Sequence, residues 1–539
     1  RMSQGESPAL GTGHFWDALI KSYPQSFQDD PTMLALVRRD DGALVRQGPQ
    51  IEPVNDKVAE LFVDHIRKTF EKNKWPKDYT TAFPIGPADG LNFSVSGESE
   101  LAGSGRNDPI VGDRDMTDLC ILLGNRILEK IGIEYPNVSL GFYSYSVHGD
   151  YPLRYVPNSR INQIFAPINF SRFHSVFDTN SKTKPYYRSV VEQWGAQSRR
   201  SGNQLAYRGY NWNLAENMLP YSQLKILGEE LPWYHKQGVE VINVEATKAW
   251  SLNGAHDFLL AKLSWDVAQN WRVVLKDYCA KAFGEGGAMM EEYFLDLTRR
   301  QHAAGQESGS YYAFPLIYDQ AWVAQERAKL ESAEKMAEKA DERTRIRYVA
   351  AGLEALALYL EYFEAAGKFE FALAQKAYDA MLSHWRETQT LNANLVAREV
   401  PEYLKRFIGA FVSGALKVST APYQIVQPLP DLLTTMIDPN DVGEKMNFYG
   451  PDLNDTLYFK TRTWSAPWDS QGLGAFRKGA VWYRVHFALP AKFQEKHCGL
   501  FLGGVEDQAS VWLNGKEVGA SQRRFSNPIL FDLTSSLHA

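Results

Sequence analysis

The first half of the chain alternates short apolar runs with amphipathic patterns. In residues 58–70 (VAELFVDHIRKTF) the apolar side chains recur three and four positions apart, which predicts a helix, and an extended run follows at 80–90. This step recurs, and the predicted strands are TTAFPIGPADG, SLGFYSYS, INQIFAPINF, LAYRGYNW and GVEVINVEA, with a further strand end near Gly13–His14. Strands separated by helices predict a parallel sheet, and this length of chain favours a (β/α)8 barrel.

The second half of the chain becomes helical and then changes to short strands. From about Asp257 the apolar residues keep helical spacing, and residues 326–347 are rich in Glu, Lys and Arg, which predicts a helical bundle with solvated faces. The Pro-rich connector 421–433 ends these helices. Short alternating runs follow, and Asn514-Gly515 is typical of a hairpin turn, so we predict a C-terminal β-sandwich.

The predicted fold is therefore multi-domain. We expect an N-terminally incomplete (β/α)8 TIM-type barrel with the catalytic site at 1–300, an α-helical bundle at 301–420, a linker at 421–440, and a jelly-roll β-sandwich at 441–539 that is cut short. The chain opens RMSQGES, with Met2 behind Arg1, so we interpret it as a piece of a longer polypeptide in which any export signal would lie upstream. We expect a secreted, periplasmic or cell-surface protein.

Composition and motif content exclude several classes of function. The chain is 44% hydrophobic and 23% charged, as in ordinary globular proteins, and it holds no apolar run of the ~18 residues that a membrane span needs. Its net charge of -6 argues against a nucleic-acid partner. The three cysteines are far apart, and the nucleotide-binding, zinc-protease and serine-hydrolase signatures are missing from the sequence, so neither a cofactor nor a metal is expected.

Candidate chemistry lies at the predicted strand ends, because the loops after parallel strands converge on one opening. Glu245 closes GVEVINVEA and Asp89 closes TTAFPIGPAD, although Asp-Gly is also a common turn. His14 and His174 follow strand ends and are either site residues or core histidines. Aromatic residues in the same loops suit the flat faces of sugar rings, which indicates a carbohydrate site. They are Tyr145, Trp194, Tyr207, Tyr210, Trp212 and Trp250.

Ordered short motifs over roughly residues 1–300 resemble a known family. They are GHFWDALIKSYPQSF, PADG, TDLCILLGNRILEKIGIEYPN, GFYSYS, FHSVFDTNS, VEQW, GVEVINVEA, FLLAKLSWD and DYCAKAFGEGGAMMEEYF. The chain resembles the domain of unknown function 4838, whose members are similar to glycoside hydrolase family 163, endo-β-N-acetylglucosaminidases that cut N-glycans. The segments WYRVHFALP, VWLNGKEVG and ILFDLTSSL resemble the galactose-binding-like sandwich of many glycosidases.

The resemblance also implies site roles, because the family's barrel looks like that of the family 20 hexosaminidases. It places His14 at the end of the third strand and Glu245 at the end of the eighth. Those enzymes keep an Asp-Glu pair after the fourth strand, which reads Asp89 followed by glycine here. Asp89 would then orient the acetamido group of the substrate, and the general acid is not at its usual place. Glu245 is the first substitute, with Glu98 and Glu192 behind it, because cleavage needs a protonated carboxyl beside a charged group.

The expected function is a glycosidase that cleaves β-linked N-acetylhexosamine-containing glycans with retention, on an oligosaccharide or a glycoprotein. Two alternatives stay open. One is a hydrolase of another polysaccharide, such as a uronic-acid or sulfated glycan, whose acidic groups would be held by Arg154, Arg160, Arg172 and Arg208. The other is a non-catalytic glycan-binding protein, which is favoured if the glycine after Asp89 means that the general acid was lost.

Overall fold

The computed structural model describes residues 10–39, 42–210, 219–245, 248–307, 311–456, 458–466, 468–471, 473, 479–488, 490, 496–505, 508–521 and 527–537. The chain forms two compact units. The first consists of Arg1–Asn211, Lys225–Ala246 and Leu260–Gln269, and the second of Trp212–Leu224, Thr247–Leu259 and Asn270–Ala539. Within the described ranges, no helix is both long enough and apolar enough to cross a bilayer.

Up to residue 265 the helices and strands follow the predicted alternation. In chain order they are α1 (Trp16–Ser22), α2 (Pro24–Asp29), β1 (Leu34–Arg38), β2 (Leu44–Ile51), α3 (Asp56–Asn73), β3 (Thr81–Pro84), α4 (Gly97–Ala102), α5 (Thr117–Ile131), β4 (Val138–Ser144), β5 (Ile161–Phe165), α6 (Lys184–Ser201), β6 (Leu205–Gly209), α7 (Leu224–Lys236), β7 (Val239–Val244) and α8 (Trp250–Trp265). The antiparallel hairpin of β1 and β2 was not predicted. The residues of β2, LVRQGPQI, do not alternate between apolar and polar, which is why the period of a strand is not visible there. Arg46 of this strand pairs with the buried Glu52 at 2.7 Å.

A five-stranded parallel sheet is the centre of the first unit. Its strands lie in chain order, β3-β4-β5-β6-β7, and every neighbouring pair is parallel. The five predicted strands are confirmed. His14 makes a parallel bridge with Gly86, just beyond the end of β3, where a further strand end was predicted. This arrangement is consistent with part of a TIM-type barrel.

The two faces of this sheet have different partners, because successive side chains of a strand point to opposite sides. Phe142 of β4 and Tyr207 of β6 belong to the large core that includes residues of α3, α5, α6 and α7. Their strand neighbours Tyr143 and Ala206 belong to a smaller cluster on the opposite side, together with Ile164 of β5. One face is therefore covered by helices, and we call the other the inner face.

The N-terminal chain approaches β4 closely at Gly141. A Cβ atom at this position would collide with the backbone carbonyl oxygens of Leu10 and Gly11. Leu10 is buried in the small cluster of the inner face. Glycine at position 141 thus allows backbone to pack directly on backbone, which no larger residue permits.

Gly141→Ala is therefore expected to destabilise the first unit. The added methyl group must displace backbone atoms rather than a flexible side chain, and overpacking of this kind typically costs about 1–3 kcal/mol. Thermal unfolding followed by circular dichroism measures the loss. Gly97→Ala in α4 is the matched control, because a Cβ atom there meets nothing within 4 Å. Equal melting temperatures for the two variants would contradict the close approach at Gly141.

The second unit contains the remaining helices and strands. In chain order they are α9 (Trp271–Phe283), α10 (Gly287–Ala303), α11 (Phe314–Ile317), α12 (Gln320–Met336), α13 (Ala340–Gly367), α14 (Phe371–Leu391), α15 (Val400–Leu404), α16 (Ala410–Ser419), β8 (Leu432–Asp438), β9 (Phe459–Arg462), β10 (Ala480–Arg484), β11 (Gly499–Leu502), β12 (Ser510–Leu513), β13 (Lys516–Ala520), β14 (Ile529–Asp532) and α17 (Thr534–Leu537). Helices α12, α13 and α14 pack in sequence, and α9 and α10 pack on α13 and α12. The bundle thus already includes helices that precede residue 301, and the predicted domain boundaries stay predictions.

The C-terminal strands form antiparallel sheets. The described strands pair in the orders β10-β8-β9, β11-β14 and β12-β13. The hairpin predicted at Asn514-Gly515 is confirmed between β12 and β13, and both turn residues have positive φ, 52° and 83°, as a type I′ turn requires. These strands make up an antiparallel β region, and the jelly-roll arrangement stays a prediction.

Candidate active site

Polar and aromatic residues follow the strands of the parallel sheet at the edge where the strands end. Tyr145 follows β4, Tyr210 follows β6 and Glu245 follows β7. A step of two residues keeps a side chain on the same face of a strand, so Tyr145 continues the inner face from Tyr143, and Tyr210 continues it from Arg208. Both tyrosines pack against the inner-face cluster. Because the carboxyl ends of parallel strands meet at one edge, these residues are brought to the same place.

Asp89, Tyr145 and His14 form one side of this edge. The Tyr145 hydroxyl donates a hydrogen bond of 3.3 Å to Oδ1 of Asp89, which is exposed. The His14 ring lies 5.5 Å from the Tyr145 ring in an edge-to-face arrangement. Nδ1 of His14 lies 2.6 Å from the Pro87 carbonyl oxygen, and it carries the hydrogen because a carbonyl only accepts. The exposed imidazole is thus fixed in orientation beside the tyrosine.

Glu245 and Arg208 form the other side. An Nη2 hydrogen of Arg208 reaches Oε2 of Glu245 at 3.0 Å, and Nη1 donates to the Asn243 side chain at 3.0 Å. The guanidinium also lies over the Tyr143 ring, 5.8 Å from its centre. The Glu245 side chain remains 43% exposed. Glu245 is therefore held by a cation and still open to a ligand.

Tyr145 connects the two sides. Burial raises the pKa of its phenol well above the usual range, and the negative charges of Asp89 and Glu245 raise it further, as does Tyr210. One side chain therefore lies within the electrostatic reach of both carboxylates. The site that results is made of His14, Asp89, Tyr145, Arg208, Tyr210 and Glu245.

This geometry bears on the acid role expected of Glu245. An adjacent guanidinium stabilises the charged carboxylate, whereas a proton donor must be protonated before the reaction. Arg208 thus favours Glu245 as the charged partner of the pair. The sequence singled out Arg208 only as one of several basic loop residues. The signal that Arg208 lies in the site is its position in β6, two residues before Tyr210, which directly follows the strand.

A family model described as Domain of unknown function (DUF4838) matches residues 7–296, more than half of the 539 residues of the chain. The chain belongs to the DUF4838 family. No curated protein matches it. One similar solved structure is a GH138 enzyme targeting pectin rhamnogalacturonan II, with 11% identity over 80% of this chain and 70% of that chain. Its TM-score of 0.26 is too low for a structural argument.

Three residues predicted for the site of this DUF4838 domain lie in its core instead. Trp194 is completely buried, and its indole N–H donates to the Asp150 carbonyl oxygen at 3.2 Å. Tyr207 is 4% exposed, faces the helices and stacks on Tyr234 at 4.4 Å. His174 is 2% exposed, with Nδ1 3.0 Å from the Ser171 hydroxyl oxygen. Side chains buried in this way offer no face to a sugar, so these three assignments are corrected.

Two further tryptophans were predicted to contact the sugar. Trp212 lies outside the described residues. Trp250 belongs to the second unit, where it is 46% exposed and lines a cavity. Its assignment to the same site as Glu245 stays a prediction.

Three further charged residues of the DUF4838 domain that the sequence brought forward have structural partners. Arg154 Nη1 donates to the carbonyl of Gly103 at 2.9 Å, and Arg160 Nη1 donates to that of Tyr135 at 3.0 Å. Glu192 pairs with Arg188 one turn earlier in α6, at 2.8 Å. These contacts leave Arg154 and Arg160 bound to backbone rather than placed for an acidic sugar.

His148 is a buried residue beside the site that the sequence analysis missed. Its ring lies 5.9 Å from the Tyr145 ring, and Nδ1 donates to the Tyr143 carbonyl oxygen at 2.8 Å. Burial lowers the pKa of His148 to about 4, so the ring is neutral at neutral pH. The available signal was its place in the loop that directly follows β4.

The stability of the first unit is expected to decrease as the pH falls from 6.5 to about 4. In this range the unfolded chain takes up a proton at His148, whereas the folded chain does not, so protonation favours unfolding. His148→Gln removes this contribution, and its melting temperature should fall less than that of the parent over the same range. His235→Gln, at an exposed position of α7, is the control and should keep the parental pH dependence. Identical pH profiles for parent and His148→Gln would contradict the burial of a neutral ring.

Proposed function

We propose that this DUF4838 chain is a glycoside hydrolase whose active site lies at the edge of the parallel sheet, around Asp89, Tyr145 and Glu245. The observation that carries the proposal is that two carboxylates lie at one edge of the sheet, Asp89 bound by Tyr145 and Glu245 bound by Arg208. The His14 ring links the two sides, because it lies 5.5 Å from the Tyr145 ring and 5.9 Å from the Tyr143 ring over which the Arg208 guanidinium lies. Cleavage of a glycosidic bond generally uses such a carboxyl pair. The proposed substrates are oligosaccharides or glycoprotein glycans, and the proposed sugar contacts are His14, Tyr145 and Tyr210, whose rings are only partly buried or exposed.

The proposal extends to the fold and the substrate class. We propose that the parallel sheet is part of a (β/α)8 TIM-type barrel, with the site at the end where barrel enzymes keep their catalytic residues. The resemblance to glycoside hydrolase family 163 supports β-linked N-acetylhexosamine-containing glycans, cleaved with retention, and a secreted, periplasmic or cell-surface protein. These finer assignments rest on that resemblance and not on the geometry of the edge.

The two carboxylates are proposed to have different roles. Glu245 acts as the charged group, since Arg208 stabilises its negative charge, and it either attacks the anomeric carbon or stabilises the positive charge that develops there. Asp89 is the proton donor to the leaving oxygen, and the Tyr145 hydroxyl donates to the carboxylate that remains once the proton has been transferred. On a substrate with a 2-acetamido group, the competing role of Asp89 is to orient that group.

Glu245→Gln is expected to fold normally and to lower turnover by about 10²–10⁴-fold or more, because Gln keeps the size of Glu but carries neither charge nor transferable proton. A panel of oligosaccharides and glycoproteins, read by mass spectrometry, identifies a cleaved glycan for initial-rate measurements. Glu192→Gln is the matched control. Both carboxylates pair with an arginine, and their side chains are 43% and 42% exposed. Equal rates for the two variants would remove Glu245 from the mechanism.

Asp89→Asn distinguishes the two roles of Asp89. An aryl glycoside with an acidic phenol has a leaving group that departs without being protonated. The variant should therefore keep most of its rate on this substrate, because the lost proton donor is not needed there. On the natural glycan it should lose about 10²–10⁴-fold. Equal losses on both substrates would contradict the donor role and favour orientation of an acetamido group. If the parent chain releases no product from any glycan of the panel, the hydrolase proposal fails and the glycan-binding alternative is favoured.

A further inference from the structure

A cavity of about 600 Å³ lies within the second unit. Its walls come from the beginning of α8 and the residues just before it, from α9 and α13, and from the segment that follows α14. All of the residues that line it belong to the second unit. The volume is within the range of ~300–1,000 Å³ that is typical of small-molecule sites.

Trp250 forms an aromatic wall of this cavity and is fixed in place. Its backbone N–H donates to the Asn394 carbonyl oxygen at 3.1 Å. The indole lies against α8 at Gly254, where a Cβ atom would stand 3.0 Å from the ring and 3.0 Å from the Tyr278 hydroxyl. Glycine at position 254 thus lets the indole and the tyrosine approach the helix. The indole remains 46% exposed, so it presents a large apolar surface to the cavity.

Asp257 supplies a carboxyl group without a partner. It follows Trp250 by seven residues on α8, a spacing that places the two on the same side of a helix. Burial raises the pKa of Asp257 to about 6. Among the described residues no hydrogen bond or ion pair holds its side chain, in contrast to Arg345 across the cavity, whose Nη1 donates to the Ala282 carbonyl oxygen at 2.7 Å and whose Nη2 pairs with Asp341.

The remaining polar groups make the cavity nearly neutral. Lys248 is exposed and offsets the charge of Asp257, while Arg345 is already paired with Asp341. Amide groups also line the cavity: Oδ1 of Asn392 accepts the N–H of Asn394 at 3.0 Å, which leaves the side-chain NH2 group of Asn392 as a donor. A carboxylate, amides and a flat aromatic surface without excess charge suit a ligand that is rich in hydroxyl groups.

We propose that this cavity is a carbohydrate-binding site that holds a neutral hexose unit of an oligosaccharide against Trp250, with its hydroxyl groups bound by Asp257 and Asn392. The C–H face of the sugar packs on the indole, and a hydroxyl group donates to the otherwise unpartnered carboxylate. The near balance of charge favours a neutral sugar over a uronic acid. This site does not depend on hydrolysis at the edge of the parallel sheet.

The test is titration calorimetry on the full chain in a Glu245→Gln background, so that bound glycan is not consumed. The probes are cellohexaose, chitohexaose and hexagalacturonate. At least one neutral probe should bind, and adding Trp250→Ala should weaken that binding about tenfold or more. Trp265→Ala is the matched control, because Trp265 ends the same helix and is 83% exposed, and it should leave the affinity unchanged.

A second variant protects the test against a folding defect at Trp250. Asp257→Asn keeps the size of the side chain but replaces the carboxylate acceptor, so it should weaken binding about threefold without a change in packing. The proposal is overturned if neither variant changes the affinity, if no neutral probe binds, or if hexagalacturonate alone binds. Rates of glycan cleavage for Glu245→Gln are a separate measurement, so failure of the hydrolase proposal and failure of this site give different results.

Discussion

The pleat of the five-stranded parallel sheet is the constraint on which the candidate site depends. Because side chains alternate between faces, a shift of one residue would exchange the helix-facing and inner sets completely. In β6 this rule gives Tyr207 to the helices and Arg208 to the inner face. In β4 it gives Phe142 to the helices and Tyr143 to the inner face. The chemistry at the edge therefore depends on the apolar packing of the opposite face, which fixes the register.

Carboxyl groups in this protein differ in how much of their hydrogen-bonding capacity the fold uses. This difference distinguishes a structural carboxylate from one that a substrate can reach. Asp118 is completely buried and accepts the backbone N–H groups of Leu153, Arg154 and Tyr155 at 3.1, 2.7 and 3.1 Å, which ties α5 to the loop after β4. These three bonds use most of the roughly four acceptor positions of its carboxylate. Glu245 has one cation and a side chain that is 43% exposed. A carboxylate that keeps free acceptor capacity at an open edge is the kind that can serve a substrate.

Desolvation acts on single groups in both units and shifts their pKa values in opposite directions, because it favours the neutral form of each group. It lowers the pKa of His148 to about 4 and thereby keeps an imidazole neutral beneath Tyr145. It raises the pKa of Asp257 to about 6 in the cavity of the second unit. Each shift has burial as its largest cause, because the charged form of either group is poorly solvated there. In the proposed sugar site, hydroxyl groups of the ligand donate to the Asp257 carboxylate and replace the water contacts that burial removes.

The sequence by itself determined the five strands of the parallel sheet and the hairpin at Asn514-Gly515, because periodicity and turn residues act between near neighbours in the chain. It did not show the β1–β2 hairpin. It also brought out Asp89 and Glu245, since a polar residue that ends an apolar run is a local signal. Only the tertiary structure decided which residues meet. The Tyr145–Asp89 contact joins positions 56 apart and the Arg208–Glu245 pair joins positions 37 apart, distances over which no sequence period carries information. Tertiary structure likewise decided that Trp194 is core, because burial depends on what packs around a side chain and not on its type.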